Sequence, residues 1–147
     1  MTVLKGSSDI RRGRQSIINA AYHVTFTTEN RKPIFSDFDV ANMFRHCLKN
    51  SDDQGYSKTL TFCIMPDHVH WLFVLTEGTL SRTVARVKSD FSRKSKMKIW
   101  QDGFHDHAIR SDEALINVAR YIVANPLRAN LVRELGMYPY WDSVWLE

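Results

Sequence analysis

From Ala20 to Thr27 (AAYHVTFT) hydrophobic and polar positions alternate. Tyr22, Val24 and Phe26 fall on one side, His23, Thr25 and Thr27 on the other, the period-2 pattern of a half-buried strand. Pro33 lies in the loop that follows, and Ser36 opens a predicted helix to about Asn50, with Asp39 three residues on as in a capping box. Val40, Phe44, Cys47 and Leu48 form its buried stripe, and the polar run SDDQG ends it. Residues 59–65 (TLTFCIM) and 68–75 (HVHWLFVL) are β-rich and separated only by Pro66 and Asp67, so an antiparallel hairpin is the simplest connection. Leu80, Val84, Val87 and Phe91 recur at helical spacing, predicting an amphipathic helix over 80–97 with a basic outer face. Residues 104–110 suit a fourth strand. Ser111 then starts a third helix, with Asp112 and Glu113 at its positive end. That helix is expected to stop near Asn125, because Pro126 disfavours helical geometry in the residue before it. The order is β-α-β-β-α-β with an added C-terminal helix: an α+β, ferredoxin-like antiparallel sheet with helices on one face. That plan limits function without choosing one.

At 147 residues the chain suits one domain, read as residues 16–147 behind a basic N-terminal arm, residues 1–15. A 44% hydrophobic share excludes a disordered chain. Two cysteines, Cys47 and Cys63, are too few for a disulfide scaffold or a four-thiolate zinc site and read as small core residues. No apolar run approaches the roughly 20 residues needed to span a bilayer. The N-terminus lacks a signal-peptide core, so a cytoplasmic, nucleoid-associated protein is expected. The net charge of +4 is unevenly placed. Residues 1–15 carry Lys5, Arg11, Arg12 and Arg14 against Asp9, and residues 80–98 carry seven cations against Asp90, so the remainder is acidic. Positive charge gathered this way suggests a polyanionic partner, nucleic acid before membrane; a solvated helix face behind a basic tail is the alternative. Candidate DNA contacts are Arg11, Arg12 and Arg14 on the arm and Arg86, Lys88, Arg93 and Lys94 on the helix.

His68-Val69-His70 places two imidazoles on one face of a strand, their Cα atoms roughly 6–7 Å apart, near enough to share one divalent ion. The same pair is also compatible with a structural role. On the third helix the apolar face runs through Leu115, Val118, Ala119, Ile122 and Val123, which leaves Tyr121 at its rim and Asn125 one turn later. A rim tyrosine is either a half-buried packing residue or a side chain that enters a cleft, and Asn125 is either a helix cap or a ligand. Taken together, two neutral histidines and an amide oxygen would hold Mg²⁺ or Mn²⁺ at a phosphodiester, and the Tyr121 phenol would attack phosphorus. The histidines must be neutral, so cleavage is expected to fall in mild acid.

MPDHVHWLF resembles the HUH motif of single-tyrosine transposases of the insertion-sequence type, and ARYIVANPLRANLV resembles their nucleophile helix. YHVTFTTENRKPIF, LSRTVARVKSDFSRK, WQDGFHDHAIR and YPYWDSVW are most similar to the REP-associated tyrosine transposases, whose likeness covers roughly residues 16 to 146. The resemblance implies Tyr121 as nucleophile and His68, His70 and Asn125 as metal ligands. It implies cleavage of single-stranded DNA beside palindromic-repeat hairpins, with a 5′-phosphotyrosine link and a free 3′ hydroxyl. It also implies a monomer, a homodimer being the alternative.

Two other classes fit the same residues: a non-catalytic protein recognising repeat hairpins, and a hydrolase using His68 and His70 directly on a small phosphoester. His105-Asp106-His107 is a second His-x-His, whose charged centre suits an exposed or edge strand; it reads as structural or substrate-orienting. His23 reaches the site only if the first strand neighbours the third. Tyr138, Tyr140, Trp141 and Trp145 either pack the tail or stack on unpaired bases.

Overall fold

In the computed structural model, which describes residues 16–145, the five strands form one sheet in the order β4-β1-β3-β2-β5. They are β1 (Ala21–Thr27), β2 (Ser57–Met65), β3 (His68–Leu75), β4 (His105–Ile109) and β5 (Trp141–Ser143), and every pairing is antiparallel. The helices are α1 (Phe38–Asp53), α2 (Leu80–Ser95), α3 (Asp112–Val123) and the short α4 (Asn125–Arg128). The first four strands follow the ferredoxin-like plan, and β5 extends it beyond β2. The basic arm, with Arg11, Arg12 and Arg14, lies outside the described residues.

β2 and β3 are joined by Pro66-Asp67, with Met65 paired to His68, as the turn chemistry predicts. Thr28 N–H donates to the Asp67 carbonyl at 3.0 Å and Phe35 N–H to that of Pro66 at 3.0 Å, tying the turn to the loop after β1. One sheet face packs against α1 and α2. Phe26, Phe35, Phe44, Phe91 and Trp100 meet there with ring centroids 5.1–5.8 Å apart, joined by Val69, Trp71, Phe73 and Leu75 of β3. The opposite face is covered in part by α3: Ala119 and Ile122 pack with Leu60, Cys63, Met65, Leu72 and Tyr138. The helices are therefore not all on one face, because the added helix crosses to the other.

Three boundaries differ from the sequence reading. The N-cap of α1 is Asp37, whose Oδ1 accepts from Asp39 N–H at 2.9 Å and Val40 N–H at 3.2 Å, in place of a Ser36–Asp39 box. α1 also runs into the SDDQG segment, because Asp52 accepts from Ser57 and Thr59 of β2 and is held at the helix end. β5 is a strand of three residues, too short to show a period. Tyr138 is buried and donates to the Ile64 carbonyl at 2.7 Å, so this tail aromatic packs the core. No helix among the described residues is long and apolar enough to cross a membrane.

Candidate active site

Alternation along β3 decides which residues serve which side. Val69, Trp71, Phe73 and Leu75 enter the core under α1 and α2, so His68, His70 and Leu72 share the α3 side. β1 lies beside β3, with Thr25 opposite His70 and His23 opposite Leu72. The condition for His23 to reach the site is met: its Nε2 lies 3.0 Å from His70 Nδ1, and Thr25 Oγ1 lies 3.3 Å from the same atom.

The His68 and His70 ring centroids are 5.0 Å apart. His68 Nδ1–H donates to Asp67 Oδ1 at 2.8 Å, and the other oxygen of Asp67 accepts from Arg31 Nε at 2.8 Å. Burial works against the charged form of Asp67, but the hydrogen bond and charge of His68 and the Arg31 guanidinium outweigh it and hold the carboxyl below its usual range. A carboxylate on Nδ1 fixes the tautomer and leaves the Nε2 lone pair of His68 for another partner. Burial, then the neighbouring His68, His23 and Arg128, push the His70 pKa down to about 3. Burial and His107 push that of His23 down to about 4. Both rings are neutral near pH 7, as an imidazole ligand must be. His70 also stays neutral in mild acid, so the expected loss of cleavage there cannot come from this residue.

Tyr121 leaves α3 at the rim of its apolar face and is 52% exposed. Its ring stands edge-on to His70, with centroids 6.3 Å apart and planes at 85°. The two motifs, far apart in sequence, thus meet within one chain. His23, Thr25, His70, His105, His107, Asn117, Val118 and Tyr121 line an open cleft of about 550 Å³. β4 is an edge strand, as the charged centre of His-Asp-His suggests. It is Asp106 that is buried, while His105 and His107 turn toward the cleft.

Asn125 does not hydrogen-bond either histidine among the described residues. Its Oδ1 accepts from Arg128 Nη2 at 2.7 Å and its Nδ2 donates to the Ile122 carbonyl at 3.1 Å. Two neutral imidazoles, one backed by a carboxylate, are a donor set that fits a divalent ion. Among the described residues no group of three or more His, Cys, Asp and Glu is arranged so that it could hold a metal ion by itself.

The candidate DNA contacts on α2 lie in the other layer. The Arg86 guanidinium rests 3.7 Å over the Tyr56 ring, and Lys88 Nζ donates to the Gln101 and Gly103 carbonyls at 3.2 and 2.6 Å. Arg93 and Lys94 both pair with Asp90, at 2.5 and 3.4 Å, but keep much of their surface exposed. Sequence reading gave no role to Arg128, Thr25 or the carboxylate of Asp67. For Thr25 the signal was present in its spacing from His23 on a polar strand face.

The sequence matches the family described as IS200-like transposases over residues 16–125. A protein named as a REP-associated tyrosine transposase from Haemophilus influenzae is 30% identical over 136 residues, covering 81% of this chain and 77% of the relative. A REP-associated tyrosine transposase from Escherichia coli is 27% identical over 101 residues, covering 67% of this chain and 61% of the relative. Among solved structures, a REP-associated tyrosine transposase bound to a REP hairpin shares the fold with a TM-score of 0.78 at 24% identity, over 87% of this chain and 79% of the other. A candidate transposase from Deinococcus radiodurans gives 0.56 at 21% identity, over 75% and 93%.

Proposed function

Since the chain belongs to the family of IS200-like transposases, we propose that it is a metal-dependent endonuclease and strand transferase for single-stranded DNA, cutting beside palindromic-repeat hairpins with Tyr121 as nucleophile. The edge-on approach of Tyr121 to His70, 6.3 Å between centroids in one chain, carries this reading. His68, His70 and Asn125 would hold Mg²⁺ or Mn²⁺, which when bound would draw charge from the scissile phosphate. Asp67 and His23 keep the two imidazoles oriented. The phenolic oxygen of Tyr121 forms a bond to phosphorus as the bond from phosphorus to the 3′ oxygen breaks. One proton leaves the phenol and one arrives on the 3′ oxygen, giving a 5′-phosphotyrosine and a free 3′ hydroxyl. The solved relative bound to a REP hairpin supports a hairpin as the DNA partner. Tyr121 and His70 facing each other in one chain supports a monomer as the working unit, and DNA as substrate supports residence in the cytoplasm at the nucleoid. Arg11, Arg12 and Arg14, with the exposed Arg93 and Lys94, remain the candidates for holding the flanking duplex.

The test is to incubate labelled repeat hairpins with the protein and Mg²⁺ or Mn²⁺ and look for a detergent-stable adduct. Wild type forms the adduct and Tyr121→Phe does not. An adduct at wild-type level in Tyr121→Phe removes Tyr121 as nucleophile; tight hairpin binding with no adduct in any ion leaves a non-catalytic binder.

A further inference from the structure

α3 ends at Val123, and the chain turns through α4 with Pro126 buried near its start, which brings Arg128 back over the end of α3. A single nitrogen, Nη2, donates both to the Tyr121 carbonyl oxygen and to Asn125 Oδ1, each at 2.7 Å. The guanidinium carbon lies 4.0 Å from the centroid of the Tyr121 ring. One cation therefore holds the backbone and ring of the candidate nucleophile and the amide of the candidate ligand. A guanidinium carries five N–H donors in a rigid plane. Nη2 supplies two of them here, and those on Nε and Nη1 donate to no group among the described residues. The side chain is exposed, so these donors are open to an anion from solvent.

We propose that Arg128 is a phosphate-binding residue of this site: it fixes Tyr121 and Asn125 through Nη2 and the ring stack, and donates from Nε and Nη1 to a non-bridging oxygen of the phosphodiester that Tyr121 attacks. The inference rests on Tyr121 being the nucleophile for its place in the reaction, though not for its affinity for phosphodiesters. Attack at phosphorus adds negative charge to the non-bridging oxygens, and a planar cation already in place beside the phenol stabilises that charge with little reorganisation. A helix-end cap alone would need neither the ring stack nor the open donors.

Two measurements test this. In single-turnover adduct formation by the full chain at saturating hairpin DNA, Arg128→Gln slows the rate by about 100-fold or more. Arg128→Lys, which keeps the charge but not the fork, recovers part of it. A glutamine variant within about threefold of wild type overturns the proposal. The second measurement needs no catalysis. The Nε–Hε NMR signal of Arg128, identified by its absence from Arg128→Lys, shifts saturably as the dinucleotide TpT is added to wild type; an unmoved signal overturns the proposal even if the glutamine variant is too unstable to assay. A wild-type protein that forms no adduct while this signal still responds sinks the Tyr121 reading and leaves the arginine site standing.

Discussion

His70 reaches the α3 side of the sheet with Nδ1 against His23 and Thr25, and His68 does so with Nδ1 against Asp67. The imidazole pair is thus oriented by neighbours from β1 and the hairpin turn. Keeping the buried His70 and the half-buried His23 neutral has a cost in acid. An unfolded histidine titrates near 6.5, whereas these two take up protons only at about 3 and 4. Between those values the unfolded chain binds more protons, so their contribution to stability is complete above about pH 6.5 and falls away as the pH drops. One unit below that point each costs about 1.4 kcal/mol. Melting temperatures measured from about pH 7 to pH 5 should fall more steeply for wild type than for His70→Gln; equal slopes would contradict this. His68 and His70 were legible as a pair because a strand's period is short and strict. Tyr121 was legible as a rim residue because helical spacing is equally regular. The placement of His23 depended on which strands are neighbours, which its own segment does not encode. Arg128 owes its contacts to the turn taken after α3, and no periodicity describes a turn.

The same division holds for elements. The hairpin, the first four strands and the three longer helices follow from period and turn chemistry, because each signal is repeated several times within its segment. Ends rest on single side chains, which is why Asp37 caps α1 where Ser36 was expected. β5 exists because Trp141–Ser143 pairs with Thr61–Cys63 at the sheet edge, a long-range event invisible in three residues. The composition of α2 suggested a DNA-facing surface, yet Lys88 clasps the segment before β4 through two backbone carbonyls. Lys88→Met should therefore lower unfolding stability by about 1–2 kcal/mol in urea melts. It should change the salt slope of hairpin binding by less than the roughly 0.7–0.9 expected for one lost phosphate contact. Unchanged stability with a slope flattened by that amount would put Lys88 on the DNA instead.

Across the whole molecule, the sheet separates two tasks. α1 and α2 close an aromatic core on one face, while α3 occupies the other and brings a phenol beside the histidines of β3. Which layer α3 joins was not legible, because an amphipathic stripe says that a helix packs but not on which side. In the proposed reaction one chain supplies both the imidazole pair and the nucleophile. This is tested most directly by mixing Tyr121→Phe with a His68→Ala/His70→Ala chain and assaying the mixture for covalent DNA adduct, under conditions where wild type forms it. Neither variant, and no mixture of them, should yield adduct. Adduct reappearing on mixing would show the tyrosine of one chain serving the histidines of another, and would contradict a single-chain site.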